Sequence, residues 1–295
     1  MSAALPLKEV AASKTETGEN FPVASHLIAP QHRGTVLAFY KFARAADDIA
    51  DSPTLPADEK LARLDLFEET LLGRSDAIAS ALPLRATLAE TGLTPRHALD
   101  LLVAFRMDAT KLRYATFDEL LHYCRYSAAP VGRFVLAAHG EAEATWPAND
   151  ALCAALQIIN HLQDCGKDFR EIDRVYIPQD ALARHGLTVE ALAEPRASVA
   201  LRIVLRDLAL RNAALVKHGS ELSPQVKDWR LCLETAIIAR LAQKLNGWLI
   251  ARDPLSETVH LSKTGALFQA VLGLGAGIGG RFGRTAPLRQ PSGLA

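Results

Sequence analysis

Two pairs of aspartates, Asp47/Asp51 in AADDIAD and Asp164/Asp168 in LQDCGKD, lie inside segments that otherwise read as buried helix. Residues four apart stack on one helix face, so each pair aims two carboxylates at one point in space. The polar stripe extends backwards in both segments: Tyr40, Arg44, Asp47 and Asp51 in the first, Gln157, Asn160, Asp164 and Asp168 in the second. Both follow the period of an α-helix. Their surroundings are apolar, with Val36, Leu37, Phe39 and Phe42 around the first and Leu152, Leu156, Ile158, Ile159 and Leu162 around the second.

One such stripe is what the solvated face of an amphipathic helix looks like. Ordinary solvated faces, however, mix both signs of charge and are rich in Lys and Glu, and two matching aspartate stripes do not fit that description. Carboxylates this close repel one another unless a cation shares them, which argues for a metal or a positively charged ligand. All-oxygen aspartate ligands favour a hard cation. Few carboxylates, with room for water and phosphate oxygens, favour Mg²⁺ over Ca²⁺.

A chain of 295 residues can bury about three quarters of its unfolded surface. Its 33 basic and 33 acidic residues balance, which argues against a general nucleic-acid surface. Cys124, Cys153, Cys165 and Cys232 stand in apolar helical contexts without C-x-x-C spacing and read as reduced thiols of a cytoplasmic protein. The first twenty residues lack the apolar core of a signal peptide, and no run reaches the roughly 18 apolar residues of a membrane span. Ala266 to Ile278, flanked by Lys263, Arg281 and Arg284, is too short to span but suits peripheral contact with the inner membrane.

Helix signals dominate the remainder. Thr94-Pro95 and Ser223-Pro224 place a cap before a first-turn proline, and Thr116 to Glu119 matches a capping box. Helices are expected over Pro95 to Asp108, Asp150 to Asp164, Val199 to His218 and Pro224 to Ile250, and no alternating strand competes with them. The expected fold is all-α, a helical bundle around a central active-site cavity with the two stripes facing each other. One domain is expected over residues 21–272, preceded by a flexible segment (1–20) and followed by a Gly-rich mobile tail (273–295). Gly275, Gly277 and Gly280 in that tail satisfy G-x-G-x-x-G, but no strand, helix or downstream acid gives the match the context of a dinucleotide site.

Competing chemistries fit less well. A di-iron bundle needs Glu-x-x-His motifs, which neither stripe has. Glycoside chemistry needs two carboxylates rather than four. Magnesium-assisted departure of a phosphate-type leaving group is the remaining reading, the metal stabilising charge that develops on that group.

The segments FYKFARAADDIAD and LQIINHLQDCGKDFREIDRVYIP resemble the two signature motifs of the squalene/phytoene synthase family. HYCRYSAAPVG, from His122 to Gly132, and MDATKLRY, with Asp108, Arg113 and Tyr114, are further matches, and the resemblance runs from about Phe21 to Lys263. It implies the all-α isoprenoid-synthase bundle, with Asp47, Asp51, Asp164 and Asp168 binding diphosphate through Mg²⁺. By the same resemblance Phe21, Tyr40, Arg44, Asp48, Gln157, Asn160 and Tyr176 belong to the substrate and metal surroundings, and Lys263 reaches the diphosphate from the C-terminal side.

Three departures narrow the branch. Gln163 stands where most members place Arg, Arg125 where many have Tyr, and Lys167 where an acid is usual. Together with the NHLQD and SAAPVG wording, they are similar to the hydroxysqualene synthases of bacterial hopanoid biosynthesis. That branch takes presqualene diphosphate, ionises it and captures the cyclopropylcarbinyl cation with water. No NADPH is expected. The resemblance further suggests Gln163 and Arg125 as groups that position water or redistribute charge near the cation, with packing or phosphate contact as the alternative. Aromatic faces such as Phe39, Phe42 and Phe134 offer cation stabilisation in principle, core packing being the plainer role. Two alternatives stay open: a head-to-head condensing synthase making squalene, presqualene diphosphate or phytoene, and a non-catalytic scaffold on the same fold.

Overall fold

The computed structural model describes residues 28–261 together with 269, 273 and 274. Phe21, Lys263 and the GAGIGG glycines lie outside the described residues. The elements are α1 (Pro30–Ala50), α2 (Ala57–Leu71), α3 (Leu82–Thr91), α4 (Arg96–Thr110), α5 (Phe117–Ser127), α6 (Ala129–Ala138), α7 (Trp146–Gln163), α8 (Cys165–Ile172), α9 (Gln179–Ala183), α10 (Val199–Gly219) and α11 (Trp229–Ala251). Among the described residues there is no strand, only one isolated bridge between Arg113 and Val175. The all-α expectation therefore holds.

Two apolar cores divide the bundle. The first joins α1 to α4 through Phe42, Leu64, Leu84, Leu101 and Leu102. The second packs α5, α7, α10 and α11 around Ile158, Ile159, Leu205 and Leu245. Helices α4 and α6 contribute to both and form the seam, with Ala104 and Leu136 in one core and Phe105 and Phe134 in the other. Phe39 stacks on Phe134 at 4.0 Å between ring centroids, and Phe42 meets Phe67 edge-on at 5.6 Å. All four are buried, so packing is their role.

Helix α7 is held on two sides by glycines that let backbones approach. A Cβ at Gly132 of α6 would meet the Asn149 carboxamide oxygen at 2.0 Å, and one at Gly219 of α10 would meet Leu152 Cα at 2.6 Å. Buried amides complete the attachment. Asn212 Nδ2 donates to Ala155 O at 3.1 Å and to Asn246 Oδ1 at 3.0 Å, and Asn246 Nδ2 donates to Ala209 O at 3.0 Å. These bonds engage buried backbone and side-chain groups, and they fix the register of α7, α10 and α11.

The helix starts differ from expectation in two places. Helix α7 begins at Trp146 because Pro147 is tolerated in a first turn that needs no amide donor. Ser223-Pro224 opens only a short 3₁₀ turn, since the Ser223 hydroxyl donates to Cys232 O rather than capping. The start of α11 falls to Asp228, which accepts from Leu231 N at 2.8 Å. Thr116 does cap α5, accepting from Glu119 N at 3.2 Å, while Glu119 accepts from Ala115 N.

The four cysteines are free thiols. Among the described residues no helix is long and apolar enough to cross a membrane. Gly273 lies against α11, where a Cβ would meet Ile237 Cα at 2.7 Å.

Candidate functional site

Both aspartate pairs sit at helix ends. Asp51 terminates α1, its amide bonded to Asp47 O at 2.9 Å. Asp164 is the hinge between α7 and α8: its amide bonds to Asn160 O at 2.9 Å and its carbonyl accepts from Asp168 N at 2.8 Å. The second stripe is thus bent at Asp164 instead of running along one straight helix. The C-terminus of α1 carries partial negative charge, so Asp47 and Asp51 add to an already unfavourable potential there and call for a cation, whereas Asp164 stands at the N-cap and Asp168 in the first turn of α8, an end that favours acids.

Arg44 answers part of that demand on α1. Its guanidinium lies 2.8 Å from Asp47 Oδ2 and 2.8 Å from Asp48 Oδ1, so it reaches both acids from one turn back. Asp48 is buried, whereas Asp47 is 30% exposed and Asp51 43% exposed at the side chain. Tyr40 is half-buried on the same helix, as are Gln157 and Asn160 on α7.

The residue that joins the two stripes is Arg174. Asp173 ends α8 in the left-handed region at φ 51°, a conformation that Asp tolerates better than most residues, and turns the chain back. The strand-like stretch that follows is pinned to the loop after α4: Val175 N donates to Leu112 O at 2.9 Å, Gln179 N to Tyr114 O at 2.9 Å, and Arg113 pairs with Asp173. Arg174 is thereby directed inwards. Its NH1 lies 2.7 Å from Asp51 Oδ1 and 3.7 Å from Asp108 Oδ1, its NH2 donates to Asp108 O at 3.1 Å, and its backbone N–H donates to Asp168 O at 3.2 Å.

Beneath Arg174 lies a buried polar layer. Tyr123 donates to Asp108 Oδ2 at 2.9 Å and Tyr176 to Asp108 Oδ1 at 3.3 Å. His161 stacks on Tyr176 with centroids 3.4 Å apart, and burial with the nearby Arg174 charge pushes its pKa down to about 3. It is a neutral packing group. Tyr176 therefore supports Asp108 and Arg174 from below.

Burial raises three carboxyls of this cluster above the ordinary aspartate range. Burial and the Asp51 charge push Asp47 up to about 8, against the opposing pull of Arg44. Burial and Asp164 push Asp168 up to about 7, and burial pushes Asp108 up to about 6 despite Arg174. Burial is the largest cause of each shift, and raised carboxyls gathered in one place are a common feature of functional sites.

Among the described residues no group of three or more His, Cys, Asp or Glu side chains converges tightly enough to enclose a metal. Each pair instead offers two carboxylates. That set fits Mg²⁺, which keeps several waters and is commonly bound by one or two carboxylates plus substrate phosphates.

Two residues named from the sequence stand apart from the aspartates. Gln163 is buried and its Nε2 donates to Val259 O at 2.9 Å, which fastens the segment after α11 next to Asp164; His260 Nε2 then lies 3.9 Å from Asp164 Oδ1. Arg125 is exposed on the last turn of α5, and no ion pair among the described residues joins it to either pair.

The sequence matches the family model described as squalene/phytoene synthase over residues 14–264. A hydroxysqualene synthase of Rhodopseudomonas palustris is 56% identical over 86% of this chain and 87% of its own. One from Sinorhizobium fredii is 54% identical over the same shares. Among solved structures, a squalene synthase from Alicyclobacillus acidocaldarius superposes with a TM-score of 0.70 at 30% identity, covering 80% of this chain and 89% of that one.

Proposed function

Since this chain belongs to the squalene/phytoene synthase family, we propose that it is an enzyme of the water-capturing branch, converting presqualene diphosphate and water to hydroxysqualene and diphosphate. The reading rests on Arg174, whose guanidinium pairs with Asp51 at the end of α1 while its backbone N–H donates to the carbonyl of Asp168 in α8. It is supported by the names and coverage of the relatives and by the carboxyls that burial raises.

Asp47, Asp51, Asp164 and Asp168 would hold Mg²⁺, which supplies stabilisation of the negative charge developing on the departing diphosphate. Arg174 keeps Asp51 oriented towards the second pair and returns positive charge to the site when no cation is present. Arg44 does the same for Asp47 and Asp48. Tyr40, Gln157 and Asn160 share the half-buried faces of these helices and offer polar contacts to diphosphate. The carbon–oxygen bond breaks with its electron pair going to diphosphate, water adds to the rearranged cation, and a proton is lost from the added water. Gln163 acts on this chemistry through the segment it fastens, since its amide is engaged with Val259. Arg125, exposed at the end of α5, is given no part in this chemistry.

The test is product analysis by mass spectrometry after incubation with presqualene diphosphate and Mg²⁺ without NADPH, beside a parallel reaction on farnesyl diphosphate. Hydroxysqualene from the first and nothing from the second supports the reading. Product from farnesyl diphosphate assigns the chain to the condensing synthases, and no product from either supports the scaffold alternative.

A further inference from the structure

Helix α10 is apolar on two sides. Its inner side supplies Leu201, Val204, Leu205, Leu208 and Val216 to the core. Its outer side exposes Val199 at 81%, Ile203 at 43% and Leu210 at 46%. These three fall within about 40° of one another at 100° per residue, so they form one outward stripe. Arg206 and Lys217 share that stripe and are exposed; Arg202, which donates to Ala251 O at 3.0 Å, borders it on one side and Asp207, its one acid, on the other, while Arg211 lies further round over the Phe117 ring. A helix whose inner side already fills the core has no folding reason to present a second apolar stripe, still less one accompanied by three cations.

We propose that the outer face of α10 docks on an anionic lipid bilayer, with Val199, Ile203 and Leu210 entering the interface and Arg202, Arg206 and Lys217 meeting the headgroups. Long basic side chains flanking apolar ones suit this geometry, because their aliphatic stems lie along the apolar layer while their charges stay with the phosphates. Charge also decides against a second copy of the chain as the occupant. Two such faces apposed would bring six cations together against two aspartates. The surface is distinct from the aspartate site and does not depend on the activity proposed for it.

The test is sedimentation of the full chain with sucrose-loaded vesicles of phosphatidylcholine containing 30% phosphatidylglycerol, against vesicles of phosphatidylcholine alone, the first fraction being on the order of an anionic leaflet. The protein is expected to partition onto the anionic vesicles and to be released in part by salt. Arg206→Gln with Lys217→Gln should lower partitioning about 25-fold, at about fivefold per charge. Ile203→Ser with Leu210→Ser should lower it at least tenfold. Both pairs of substitutions are on the surface, and unchanged circular dichroism checks that the fold is intact. Absence of preference for anionic vesicles overturns the proposal. So does partitioning that survives both double variants, or a change of oligomeric state in Ile203→Ser/Leu210→Ser as its only effect.

Discussion

The Arg174 guanidinium lies 2.7 Å from the Asp51 carboxylate and, through its other nitrogen, 3.1 Å from the Asp108 carbonyl. One side chain, from the turn after α8, therefore ties the end of α1 to the end of α4. Its removal leaves Asp108 buried without its cation. Arg174→Met should cost about 3 kcal/mol of stability, read as a lowered urea midpoint, because an uncompensated buried charge is expensive even when part of the cost is relieved by proton uptake. It should also abolish turnover in protein that is still folded. An unchanged midpoint contradicts the tether.

Asp47 predicts a pH dependence. Its folded pKa is raised above the ordinary value of 3.8 to about 8, with burial the largest cause and Asp51 next. A raised folded pKa contributes stability that is complete below the unfolded pKa and is lost as pH rises through the folded one. Asp47→Asn removes that dependence. In chelator, the variant should gain stability relative to the parent as pH rises from 5 to 9, in paired urea titrations. A constant difference across that range contradicts the assignment.

Gly219 sets the distance between α10 and α7. A Cβ there would sit 2.6 Å from Leu152 Cα, which is backbone and cannot rotate aside. Gly219→Ala should lower stability by about 1–3 kcal/mol, the range typical of overpacking, and reduce activity because α7 carries the second aspartate pair. Thermal unfolding and a turnover assay on the same preparation check both.

Gln163 contributes one buried bond to Val259 O. Gln163→Ala should cost about 1–2 kcal/mol, since the carbonyl it satisfied is left buried. It should also raise KM more than it lowers kcat, because the affected segment flanks the site. A fall in kcat alone, at unchanged stability, points instead to direct action on the reacting cation.

The aspartate stripes were legible because helical period alone places Asp47 with Asp51 and Asp164 with Asp168, and that period survives the bend at Asp164. The start of α11 was not, since Ser223-Pro224 and Asp228 both carry capping chemistry and the Ser223 hydroxyl is drawn to Cys232 O. Arg174 was missed for a related reason. It follows a left-handed residue in a loop, where no periodicity links it to Asp51 across more than a hundred residues. The Asp-Arg step at the end of α8, before the apolar run VYIP, was the available signal of a chain reversal into the core. Asn212 and Asn246, amides on the inner faces of apolar helices, were similarly readable as buried cross-links only once α10 was seen packed against both α7 and α11.

The most direct test of the central claim, that both aspartate pairs serve one diphosphate site, is calorimetric titration of inorganic diphosphate into the full chain with and without Mg²⁺. The parent, Asp51→Ala and Asp164→Ala are compared. The account predicts Mg²⁺-dependent binding in the parent that is weakened at least tenfold by either substitution. Binding that needs no Mg²⁺, or that survives loss of one pair unchanged, contradicts it.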